Sequence, residues 1–171
     1  MTTSFAVYKA SKLLANEASW KFMDEEKPAF ELFTIHPSLV YGKNLMQSSA
    51  KEIEGSTNGF LFGNIMNGVF MDVVRSSVYV GDVADVHIKV LDKSVKKSSK
   101  YFVTGQRWTW TDLLEIIERD YPGAPHKLTK DDSPLPNQWD TSKVETELAF
   151  KFVKPEVMLK EVLDQQLGFF N

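Results

Sequence analysis

A long helical pattern that runs almost directly into a short apolar strand is what most limits the folds open to this chain. From Ser4 to about Asp24, the apolar residues Ala6, Leu13, Leu14, Ala18 and Phe22 recur at spacings of three to four, and Glu25-Glu26-Lys27-Pro28 ends the run. Phe30-Glu31-Leu32-Phe33-Thr34-Ile35 then reads as a short buried strand stopped by Pro37. A helix followed this closely by an apolar strand suggests a strand–helix–strand unit whose first strand is absent.

The rest of the chain continues the alternation. Residues 40–54 read as a loop, and a helix from about Thr57 to Gly68 follows. Val78-Tyr79-Val80 is a strand candidate leading into a helix with Asp82 as its N-cap. Tyr101-Phe102-Val103-Thr104 is another strand. Thr109 or Thr111 then caps an amphipathic helix whose Leu113, Leu114, Ile116 and Ile117 face inward. Asp140 or Thr141 opens a short helix, and Pro155 stands in the first turn of the last one.

Composition removes several functions. A formal net charge of -3 gives no basic footprint for nucleic acid. With no cysteine there is no disulfide framework, no thiol nucleophile and no thiolate metal site. His36, His87 and His126 are far apart and in no H-x-x-x-H pairing, so no metal site is expected. The apolar runs stop well short of the ~20 residues that span a bilayer. No membrane association and a cytoplasmic setting are expected.

Chemistry gathers near the start. Tyr8 and Lys12, in Tyr8-Lys9-Ala10-Ser11-Lys12, are four residues apart and share one helix face. An ammonium so placed lowers the pKa of a phenol and makes it a usable proton donor, the acid–base core of a ketone-reducing site. Ala10 and Ser11 between them are small enough to let a ligand approach. Ile35-His36-Pro37-Ser38-Leu39-Val40-Tyr41-Gly42 forms a proline-punctuated turn at the carboxyl end of a strand, where ligands of open α/β sheets bind.

In these motifs, and in Gly81-Asp82-Val83-Ala84-Asp85-Val86-His87, Trp110-Thr111-Asp112-Leu113-Leu114 and Asp140-Thr141-Ser142-Lys143, the chain resembles the extended short-chain dehydrogenase/reductases. The resemblance is to their NAD-dependent epimerase/dehydratase family, in the branch of dihydroflavonol-reductase-like and methylglyoxal-reductase-like ketoreductases. It implies an α/β fold: a partial Rossmann-type parallel sheet plus the small C-terminal substrate-binding region. The chain 1–171 is then a single incomplete domain, with 1–42 and 69–92 from the cofactor-binding unit and 43–68 and 93–171 from the substrate-binding region.

The resemblance also implies roles. Tyr8 is the general acid that protonates a carbonyl oxygen, and Lys12 hydrogen-bonds the nicotinamide ribose and keeps the tyrosine pKa low. Pro37, Ser38 and Val40 face the nicotinamide of NADP or NAD through their backbone. Tyr41 and the helix near Phe60 to Phe70 line the pocket for a small-molecule carbonyl substrate.

Other family features are absent. No G-x-x-G-x-x-G turn seats a pyrophosphate, and no catalytic serine or threonine stands a few tens of residues before Tyr8. Ala149 stands where the family carries glycine. The chain is thus expected to be a truncated carbonyl reductase, inactive alone, or alternatively a non-catalytic remnant that binds a ligand or partner. Its apolar strand edge is expected to drive self-association.

Overall fold

The N-terminal pattern forms one helix, α1 (Ser4–Glu26), in a computed structural model that describes residues 4–95 and 97–170. It stops where Lys27 turns left-handed at φ 46° while its amide still reaches the Met23 carbonyl at 3.2 Å. Pro28 cannot extend the ladder. The helix buries no residue along its length. Leu13, Leu14 and Phe22, whose spacing marks the helix, are about half or more exposed. Spacing makes a helix amphipathic, but only a neighbouring element can cover it.

Two short parallel sheets follow. β1 (Phe33–Pro37) pairs with β4 (Ser99–Val103), Phe33 opposite Ser99 and Pro37 opposite Val103. β2 (Leu39–Tyr41) pairs with β3 (Ser77–Tyr79), Leu39 opposite Ser77. The chain changes partners at Ser38, whose amide donates to the Val103 carbonyl, while the Leu39 amide turns to Ser76. Residues 40–54 are thus not all loop, because β2 and a 3-10 turn at Ala50–Ile53 lie within or overlap that stretch. Among the described residues nothing pairs with the second edge of β1.

The helices obey local signals. α2 (Thr57–Asn67) is capped by Ser56, whose hydroxyl accepts the Gly59 amide, and closes on Gly68 in the left-handed region at φ 64°. The short α3 (Asp72–Arg75) leads into β3. α4 (Val80–Lys89) begins after Tyr79, so Asp82 is not its N-cap. Asp82 sits buried in the first turn and accepts the Val153 amide at 3.2 Å. Thr109 and Asp112 form a capping box on α5 (Trp110–Asp120). α6 (Ser142–Glu147) and α7 (Pro155–Gly168) complete the chain. Ala149, just past α6, adopts φ 47°, the conformation a glycine takes without strain.

Two cores divide the interior. Trp108, Trp110, Leu113, Ile117, Leu159 and Val162 pack α5 and α7 against α2. The Trp108 and Trp110 rings meet edge to face at 5.4 Å, and Trp108 Nε1 donates to Ser77 Oγ. Tyr101, Val103, Val86, Val144 and Phe150 form the second core, on one face of the β1–β4 sheet. The opposite face meets α1 through Trp20, whose Nε1 donates to Thr34 Oγ1 at 3.2 Å beneath Lys100.

Candidate functional site

Helical spacing brings Tyr8 and Lys12 together. The Lys12 ammonium stands 5.6 Å from the centre of the Tyr8 ring, over its π face. Tyr8 is 56% exposed, and α1 leaves this face open. Trp20 fixes the helix against Thr34, and a rise of about 1.5 Å per residue carries Lys12 about 12 Å along the axis from that contact.

Pro37 ends β1 and is exposed; with no N–H it gives the ladder no further donor. Ser38 is partly buried, its hydroxyl donating to Thr104 Oγ1 at 2.9 Å. Val40 lies within β2, and its carbonyl accepts the Thr57 hydroxyl.

A cleft of about 630 Å³ opens at the carboxyl ends of β2 and β3. Val40 and Tyr41 line it, whereas Tyr8, Lys12, Pro37 and Ser38 do not. The Tyr41 side chain is fully buried and donates its hydroxyl to the Val74 carbonyl at 2.9 Å, so it props the wall from inside the core. Burial raises its pKa. The helix near Phe60 to Phe70 is placed differently from its expected lining role. Only its entry, Ser56 to Asn58, reaches the cleft; Leu61, Phe62 and Ile65 are core residues and Phe70 meets Trp110.

The cleft also holds residues that the motifs did not single out. Tyr79 donates its hydroxyl to Glu161 Oε1 at 2.8 Å, and that bond, with burial behind it, pushes the phenol up to about 12. Glu161 Oε2 accepts the Lys43 amide at 2.9 Å. Gly42 passes so close that a Cβ there would meet Val80 Cγ1 at 2.5 Å. Glycine at 42 after a strand was a readable signal. Glu161, 118 residues from Lys43, carried none.

For a nicotinamide cofactor, the described residues fit one end only. Lys12, on an open helix face, can reach a ribose hydroxyl, and the exposed turn at Pro37 can lie against a flat ring. None of the glycines falls in a G-x-x-G-x-x-G spacing, so these residues offer the pyrophosphate no glycine-rich seat.

No family model matches the chain. A ketoreductase of Aspergillus fumigatus is 38% identical over 96% of this chain and 50% of its own length. A putative NADPH-dependent methylglyoxal reductase of Candida albicans is 28% identical over 98% of this chain and 52% of its own. The crystal structure of yeast methylglyoxal/isovaleraldehyde reductase complexed with NADPH superposes with a TM-score of 0.77 at 23% identity, covering 99% of this chain and 53% of that one. The chain spans about half the length of the curated relatives it matches, and corresponds to their C-terminal half.

Proposed function

The chain is homologous to the C-terminal half of the ketoreductase and methylglyoxal-reductase branch of the extended short-chain dehydrogenases, and on that premise we propose that it carries the proton-donating, substrate-shaping part of an NADPH-dependent carbonyl reductase. The bound dinucleotide supplies hydride. Tyr8 gives its phenolic proton to the carbonyl oxygen, and Lys12 holds the nicotinamide ribose. The backbone of Pro37, Ser38 and Val40 orients the ring, and the cleft beside Val40 and Tyr41 receives the substrate.

The observation that carries this reading is the Lys12 ammonium 5.6 Å from the Tyr8 ring on an open helix face. A fusion of this chain to the N-terminal half of the Aspergillus ketoreductase tests it. NADPH oxidation by a panel of ketones and aldehydes is expected, falling about 100-fold or more in Tyr8→Phe. Lys12→Met is expected to raise the KM for NADPH. An active fusion indifferent to Tyr8→Phe overturns the assignment.

A second reading, a non-catalytic ligand-binding module, is favoured by one feature: the cleft forms without Tyr8 or Lys12. Titration of the chain with NADPH separates the two readings, since micromolar binding argues for a retained cofactor role.

A further inference from the structure

Thr104 follows β4 directly, and at the carboxyl end of that strand lies a second cavity, of about 20 Å³. Arg75 and Arg107 both line it, with Thr104, Asn137, Gln138 and Trp139 among their neighbours, and no residue of the lining is acidic. The cavity wall is tied to the turn after β1, because the Ser38 hydroxyl donates to Thr104 Oγ1 at 2.9 Å. It shares no lining residue with the cleft at the ends of β2 and β3.

Positive charge here is only partly met. Arg75 is 2% exposed, and a buried guanidinium is costly unless its charge and its N–H groups find partners. Nη1 donates to the Pro134 carbonyl at 2.9 Å and Nη2 to Asp72, but Nε has no partner among the described residues. The Asp72 side chain stands largely in water, which weakens the one carboxylate that Arg75 has. Among the described residues, the Arg107 guanidinium and the side-chain amides of Asn137 and Gln138 make no hydrogen bond or ion pair. Arg119, the third arginine of the chain, is by contrast spent on Asp120 and Glu156.

We infer that this cavity binds a small carboxylic acid by its carboxylate. A guanidinium fork matches the two oxygens of that group; the exposed Arg107 offers one, and the buried Arg75 places a second positive charge in the wall. Size narrows the class further. A space of about 20 Å³ holds little more than one water-sized group, so a carboxylate tip enters where a phosphate with four oxygens does not. Trp139, whose ring meets Phe102 at 5.5 Å, supplies an apolar wall for a short carbon chain behind it. The site goes beyond the reductase reading and uses neither Tyr8 nor Lys12.

The chain is titrated with acetate at low salt, and binding is followed by the indole N–H resonance of Trp139. Saturable binding is expected, weakened about tenfold by Arg107→Gln. Arg107→Lys keeps the charge but loses the fork, and a weakening of severalfold is expected. Arg119→Gln is expected to leave the affinity within twofold. Acetamide, of the same shape but uncharged, is expected not to bind, and inorganic phosphate to compete about tenfold less well than acetate. Circular dichroism checks that each variant is folded; should Arg107→Gln unfold the chain, Arg107→Lys carries the test. Absence of saturable binding overturns the inference, as does an Arg107 variant that binds like the parent. Equal binding of acetamide, competition by phosphate as strong as by acetate, or loss of binding in Arg119→Gln does the same. The titration needs no cofactor and no N-terminal half. A fusion that fails to reduce carbonyls therefore leaves this site standing, and a chain that ignores acetate leaves the reductase reading standing.

Discussion

Tyr79 gives its hydroxyl hydrogen to Glu161 at 2.8 Å, joining the end of β3 to a helix 82 residues further along the chain. The same carboxylate takes the Lys43 amide at 2.9 Å, so one side chain holds both the cleft floor and the loop above it. Glu161→Ala leaves a half-buried phenol and an amide without their acceptor and should cost about 1–3 kcal/mol. Tyr79→Phe removes one bond from a carboxylate that keeps another, and should cost about 1 kcal/mol or less. Thermal melting compares them; a Glu161→Ala chain that melts with the parent refutes the clamp.

Gly42 tolerates no side chain. It adopts φ 143°, and an added Cβ would lie 2.5 Å from Val80 Cγ1 and 3.2 Å from Glu161 Oε2. Gly42→Ala should therefore destabilise by about 1–3 kcal/mol. The expected signature is a lower denaturant midpoint with an unchanged slope.

Asp82 makes stability depend on pH. Burial raises its carboxyl from 3.8 to about 6; the Val153 amide it accepts works against that rise and the Asp85 charge adds to it. Below the unfolded value both states are protonated and the site costs nothing. As pH rises from about 4 to about 6, the unfolded chain ionises while the native carboxyl stays protonated, so native stability falls across that window and levels off above it. Asp82→Asn should match the parent near pH 4 and exceed it by about 1–2 kcal/mol near pH 8. Melting temperatures at the two pH values measure the difference, and parallel curves would contradict it.

α1 displays Phe5, Tyr8, Leu13, Leu14 and Phe22 to solvent, and one edge of β1 has no strand beside it among the described residues. The chain expressed by itself should associate, eluting above its monomer mass and more so as concentration rises. Leu13→Glu with Leu14→Lys should shift the elution toward monomer. A monodisperse parent monomer would show that this surface is innocuous.

Signals written in neighbouring residues were legible from the sequence by itself. The ends of α2 follow from Ser56 and Gly68, the start of α5 from Thr109 with Asp112, and the pairing of Tyr8 with Lys12 from a four-residue step. These features depend on backbone geometry within one or two turns, which the residues themselves impose.

Only the tertiary structure decided the rest. β2 is three residues long, too short for periodicity to announce, and exists because Ser38 lets the chain change partners from β4 to β3. Asp82 had the side chain of a cap, but burial against Val153 gave it a different environment. Leu13 and Leu14 had the spacing of a core face and have no core to meet. The loop beside the cleft is held by Glu161, Gln165 and Gln166, more than a hundred residues further along the chain. A local pattern states what a side chain can do; which partner it finds depends on contacts between distant segments, and those arise only when the chain packs.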